Sequence, residues 1–182
     1  MQNLVSILWL FFTTSTLSTM NDESAQSKPT VAMLELKIQL PAAPIYSNRP
    51  LPAKAILLNR GHAPVLVNTR LSVGYKTSLS RELYADILNL DTGMPANYSP
   101  LDINRDFSGK SDYKMLSPGD SVMTTFNLLE YYPLKKAGHY ELILHYQSDE
   151  ELAETPANIF KGVVSSSPIR FKILVVQFRE MK

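Results

Sequence analysis

Cysteine is absent from all 182 residues. Disulfide cross-links, thiol nucleophiles and zinc–thiolate centres are therefore excluded together. The absence does not fix a compartment, because a core of this size can be stable without cross-links. A charge of one sign is also missing: 18 Lys and Arg face 17 Asp and Glu, leaving a formal net charge of +1. Without a strong positive field, a generic nucleic-acid partner is excluded. No long apolar run is present either. The main one, LVSILWLFF from Leu4 to Phe12, has nine residues, against the roughly 20 that a membrane-spanning helix needs. Disorder as the main state is excluded by an apolar fraction of 45% at low net charge.

The run at Leu4–Phe12 sits where the apolar region of a signal peptide would sit, with the small polar stretch Thr13–Thr19 after it. No Lys or Arg precedes it, and Thr16-Leu17-Ser18 only approximates a cleavage site. Residues 1–19 are read as a possible signal peptide and 20–30 as a polar linker. One domain is expected over 31–180, and the chain is expected to be exported.

Seven glycines all lie at the edges of apolar segments, the pattern of many strands joined by turns. Alternation marks the strands. Residues 32–40 put Leu34, Leu36, Ile38 and Leu40 opposite Glu35, Lys37 and Gln39. Further strands are expected at 52–58, 65–73, 121–129, 139–147 and 169–178. Tyr140, Leu142, Leu144 and Tyr146 share one face of the fifth. Residues 80–90 fit a strand and a helix, and the turn Asp91-Thr92-Gly93 after them favours a strand. One short helix is expected at 148–154, from the capping-box spacing of Ser148 and Glu151 and a stop at Pro156. The expected fold is all-β: a single antiparallel sandwich of seven to nine strands with one short helix.

The stretch Lys136-Ala137-Gly138-His139-Tyr140-Glu141-Leu142 resembles the tyrosine corner of immunoglobulin-like domains, in which a Tyr hydroxyl bonds back to the corner backbone. Leu142 stands where antibody domains keep a disulfide cysteine, so the antibody-type core is excluded. Further pieces, in order, are Leu58–Gly61, Pro64–Asn68, Arg70–Gly74, Leu116–Asp120, Asn127–Tyr132 and Phe160–Ile169. Over roughly 31–178 the chain resembles exported bacterial immunoglobulin-like (fibronectin III-like) β-sandwich domains. The resemblance implies that fold and an envelope or surface setting. It brings no activity and no catalytic residues with it.

Six constellations are candidates for chemistry or contact. Asp91-Thr92-Gly93 is the triplet of aspartic proteases, which need two carboxylates sharing a proton. The competing reading is a solvated hairpin turn in which Gly93 supplies a positive φ. Asp102, Asn104 and Asp106 space oxygens like the first half of a calcium loop, with Asp91 or Asp112 as further ligands. Phe107 stands where an EF-hand needs glycine, so the competing reading is a solvated loop. His62, His139 and His145 are the only imidazoles. His139 and His145 share one strand face about 20 Å apart, too far to share a metal. A Ser–His–Asp set is compatible with the composition, yet no G-x-S-x-G elbow is present. Asp149, Glu150, Glu151 and Glu154 form an acidic loop, and Tyr46, Tyr131 and Tyr132 are aromatic contacts or corner packing. Asn97-Tyr98-Ser99 is a glycosylation sequon disfavoured by Pro100.

The sequence supports a non-enzymatic binding or protein-interaction domain of the cell envelope or extracellular space, with another protein as partner and no cofactor or metal. A peptidase inhibitor or accessory domain presenting the loop 91–112 is the alternative. An aspartic protease acting through Asp91 stands last.

Overall fold

The computed structural model describes residues 33–76, 81–99, 109–148 and 158–175. Eleven strands run through them: β1 (Leu34–Gln39), β2 (Ile45–Tyr46), β3 (Pro52–Asn59), β4 (Val65–Asn68), β5 (Leu83–Asn89), β6 (Met94–Pro95), β7 (Tyr113–Leu116), β8 (Ser121–Asn127), β9 (Gly138–Ser148), β10 (Gly162–Ser165) and β11 (Ile169–Leu174). Helix α1 (Leu128–Tyr131) follows β8, and one 3-10 turn covers Lys110–Asp112. The expected seven to nine strands become eleven because β2 and β6 are two-residue segments.

One sheet has the order β1-β3-β8 and a second the order β2-β11-β9-β5-β6, with β10 also on β9. A two-stranded ribbon pairs β4 with β7. All pairings are antiparallel except β2 with β11. The two sheets share one core. Sheet one contributes Leu36, Ile38, Ala53, Ala55 and Leu57, and sheet two Leu83, Ile87, Leu142, Leu144 and Tyr146. The chain is thus an all-β antiparallel sandwich. Its longest strand, β9, alternates buried and half-buried positions almost throughout. Leu142, Leu144 and Tyr146 are fully enclosed, and each such side chain contributes about 2–3 kcal/mol of apolar transfer.

Two expectations are corrected. The strand expected at 65–73 stops at Asn68, and Leu71 takes φ 47°. A buried carboxylate explains the stop. Glu82 accepts from Arg70 Nη2 at 2.7 Å, Asn68 Nδ2 at 3.1 Å and the Ser72 amide at 2.7 Å. Gathering three donors around one side chain bends the segment out of the ladder. The strand expected at 121–129 ends at Asn127, which caps α1: its Oδ1 accepts from the Leu129 amide at 3.3 Å and its Nδ2 donates to Glu130 at 3.0 Å. The helix expected at 148–154 has its first residue, Ser148, at the end of β9, and its remaining residues lie outside the described ones. Residues 80–90 form a strand, β5, as the turn after them suggested.

β10 and β11 lie on the same edge of β9 with a one-residue change of register between them. Ser165 faces His145, whereas Ile169 faces Leu142, so the three residues 166–168 oppose the two residues 143–144. This is a β-bulge. Ser166 repairs it: its amide donates to Leu144 O at 2.8 Å, and its Oγ accepts from the Leu144 amide at 3.0 Å.

Candidate functional site

The outer face of sheet two carries the odd-numbered residues of β9, because side chains alternate along a strand. His145 faces Tyr84 on β5 and Ser165 on β10, and Asp86 lies two residues along β5. Three neighbouring strands thereby deliver one hydrogen-bonded row. His145 Nδ1 is 2.8 Å from Ser165 Oγ, and His145 Nε2 is 3.1 Å from Asp86 Oδ2. A carboxylate only accepts, so Nε2 carries the ring proton. In the neutral imidazole Nδ1 is then the acceptor, and the Ser165 hydroxyl donates to it. Tyr84 stacks on the ring with centroids 4.5 Å apart and planes 15° apart. The Lys76 ammonium lies 5.9 Å from the Tyr84 centroid.

Burial pushes the His145 pKa below its ordinary 6.5, outweighing the attraction of Asp86, and the Lys76 charge lowers it further. The imidazole is 12% exposed and the Asp86 carboxylate 63%. The ring is therefore held neutral near pH 7, oriented by a stacked face and an acid.

Ser165 also lines a groove of about 630 Å³ between β1 and β10. Its apolar lining includes Leu36, Ile38, Val164 and Ile169, with Arg60 and Lys37 among the polar groups. Both flanking strands offer backbone to it. Arg60 N donates to Met33 O at 2.7 Å, which fixes the phase of the β1–β3 ladder. By alternation the backbone groups of Leu34, Leu36 and Ile38 point away from β3. The Ser166–Leu144 bond fixes the other ladder in the same way, so those of Val163 and Ser165 point away from β9. Among the described residues no strand pairs with either outward edge. On the rim Glu35 accepts from Arg60 Nε at 2.7 Å and sits 3.6 Å from Lys37 Nζ. The Arg60 bond holds the Glu35 carboxyl below its ordinary pKa.

The residues singled out in the sequence fall elsewhere. Asp91 is in the turn between β5 and β6, where Gly93 has φ 71°. Its carboxylate is exposed but engaged: Oδ2 accepts from the His139 amide at 2.9 Å, and Oδ1 is 3.0 Å from His139 Nδ1. The backbone bond from His139, then its ring, lowers the Asp91 pKa. Asp91 thus ties the β5–β6 turn to the start of β9, and its bonded partner is a histidine. Asp102, Asn104 and Asp106 lie outside the described residues, as do Asp149, Glu150, Glu151 and Glu154. Asp112 accepts from the Gly109 amide at 2.8 Å. His62 is exposed in the turn after β3. Tyr131 and Tyr132 pack into the core. The Tyr132 hydroxyl accepts from the Ala85 amide at 2.9 Å, and burial pushes its pKa up to about 12. Tyr46 lies under the Arg49 guanidinium, 5.3 Å from its centroid. Tyr140 donates to Lys136 O at 2.9 Å, the bond anticipated for the corner.

Of the row on sheet two, only His145 was marked by the sequence. Asp86 and Ser165 join it through strand register, which a local motif does not carry. No family model matches the chain, and a search of curated proteins found none similar to it.

Proposed function

We propose that this is an exported, immunoglobulin-like interaction domain that binds an extended segment of another protein along the β1–β10 groove. The observation that carries the reading is the pair of outward-pointing backbone edges flanking an apolar groove. That combination suits strand addition, in which main-chain bonds supply affinity and alternate side chains enter pockets. Two features support the immunoglobulin-like class. The orders β1-β3-β8 and β11-β9-β5 parallel the A-B-E and G-F-C groupings of that fold, and the Tyr140–Lys136 bond stands at the corner that leads into β9. The resemblance of the sequence supports an envelope setting, and the apolar run Leu4–Phe12 supports export.

Selection of extended peptides from a random library, followed by Val163→Pro, tests the binding. The Val163 amide points away from β9, so proline removes a donor from the open edge of β10 while sparing the ladder. Peptide affinity should fall about tenfold or more, the loss of about 1.4 kcal/mol. Unchanged affinity would overturn the reading. Export is tested by N-terminal sequencing of the envelope or secreted form, which should begin between about residues 19 and 28. An intact Met1 in the cytoplasm would overturn it.

A further inference from the structure

We propose that Ser165 is the nucleophile of a Ser165–His145–Asp86 relay that takes an acyl group from an ester lying in the β1–β10 groove. This goes beyond the binding reading and shares only the groove with it.

The ground-state geometry already assigns the protons. With Nε2–H committed to Asp86, the imidazole presents its basic nitrogen to the Ser165 hydroxyl at 2.8 Å, inside the reach a general base needs. The roles of the two ring nitrogens are exchanged relative to the serine-protease arrangement. Proton transfer requires only a base nitrogen on one side of the ring and a carboxylate on the other, and both are in place. The Tyr84 stack holds the ring in plane with its partners. Among the described residues, the charged or titratable groups around the imidazole are Asp86 and Tyr84 from β5, and Lys76.

Ser165 is exposed and lines the groove, so an acyl carbonyl can approach its oxygen. The amide N–H of Ser165 points outward from the ladder and supplies a donor toward the oxyanion that forms. The apolar lining, with Leu36, Ile38, Val164 and Ile169, suits an ester of an apolar acyl group. In the acylation step Ser165 Oγ bonds to the carbonyl carbon and its proton passes to His145 Nδ1. The carbon–oxygen bond to the alcohol then breaks, and the departing alkoxide takes that proton. Asp86 stabilises the imidazolium between these events. Water attacking the acyl-serine repeats the sequence, giving the carboxylic acid and the free hydroxyl. Nothing is oxidised or reduced.

The test uses the full chain, a fluorophosphonate probe and p-nitrophenyl butyrate. Mass spectrometry should find the probe on Ser165, and Ser165→Ala should abolish both labelling and ester cleavage. His145→Gln should slow labelling by about 100-fold, the order of a general-base contribution. Asp86→Asn, at an exposed position, should slow it in the same direction and serves if His145→Gln fails to fold. The labelling rate should rise with pH through one ionisation below 6.5, the ordinary histidine value. Labelling at other residues, or labelling of His145→Gln and Asp86→Asn as fast as that of the unsubstituted chain, would overturn the proposal. The probe reports on the relay without any peptide, whereas Val163→Pro reports on peptide affinity, so the failure of either reading is seen separately.

Discussion

β10 and β11 lie along the same edge of β9, yet they differ in what lies beyond them. On the far side of β11, β2 pairs in parallel at Ile173 and Leu174, and Ser47 N donates to Leu174 O at 2.9 Å. Ile173 is fully buried, and Phe171 stacks on Tyr140 with centroids 5.8 Å apart. β10 has no described strand on its far side, and Val163 is 52% exposed. One half of the edge is closed and holds the fold, while the other is open and carries Ser165. The lesson is that one strand edge can serve stability and recognition if a bulge separates them.

The largest test falls on the closed half. Leu142→Ala, opposite the first residue of β11, should cost about 3–5 kcal/mol in denaturant unfolding. A loss under about 1 kcal/mol would mean that β11 does not seal the core there. Ser166→Ala strikes the boundary and leaves the buried Leu144 amide without its acceptor. It should cost about 1–3 kcal/mol, and hydrogen exchange should quicken in β10 more than in β11. Equal quickening in both would erase the distinction between the halves. Tyr140→Phe removes the corner bond on the closed side and should cost about 1 kcal/mol, read by thermal unfolding. Ser165→Ala on the open side removes the donor to His145 Nδ1 and should cost about 0.5–1 kcal/mol while removing any serine reactivity.

A pH titration sharpens the same contrast. The Asp91 pKa is lowered in the fold, so its contribution is present above 3.8 and is lost as pH falls through the lower folded value. For His145 the pKa is also lowered, so stability declines as pH drops from 6.5 toward the folded value and the ring is forced to charge. Unfolding followed by pH should show the histidine step first on acidification. Asp86→Asn should alter that step and leave the Asp91 step in place.

Much of the fold was legible in the sequence because alternation is a local signal. Leu34, Leu36 and Ile38, or Tyr140 to Tyr146, announce both a strand and its buried face. What escaped was set by partners distant in sequence. The strand after Pro64 ended at Asn68 because Glu82 gathers Asn68, Arg70 and Ser72, and nothing local to Val65 records that demand. Helix α1 did carry a signal, Asn127 followed three residues later by Glu130, but the apolar Leu128 and Leu129 read equally well as more strand. The site was the least legible. Asp86, His145 and Ser165 are 59 and 20 residues apart, and only the register of β5, β9 and β10 makes them neighbours.

The bulge at residues 166–168 also sets a reading frame for side chains. Upstream of it, odd-numbered Ser165 faces outward beside His145. Downstream, even-numbered Arg170 and Lys172 face outward beside Glu141 and His139, and Ile169, Phe171 and Ile173 turn toward the core. Removing one residue between Ser166 and Pro168 would leave the chain length nearly unchanged but invert that frame. Two cations would then be driven inward and three apolar side chains outward, unless the whole of β11 slipped along β9. Length variation in this short stretch is therefore governed by parity: two residues gained or lost keep the frame, whereas one breaks it.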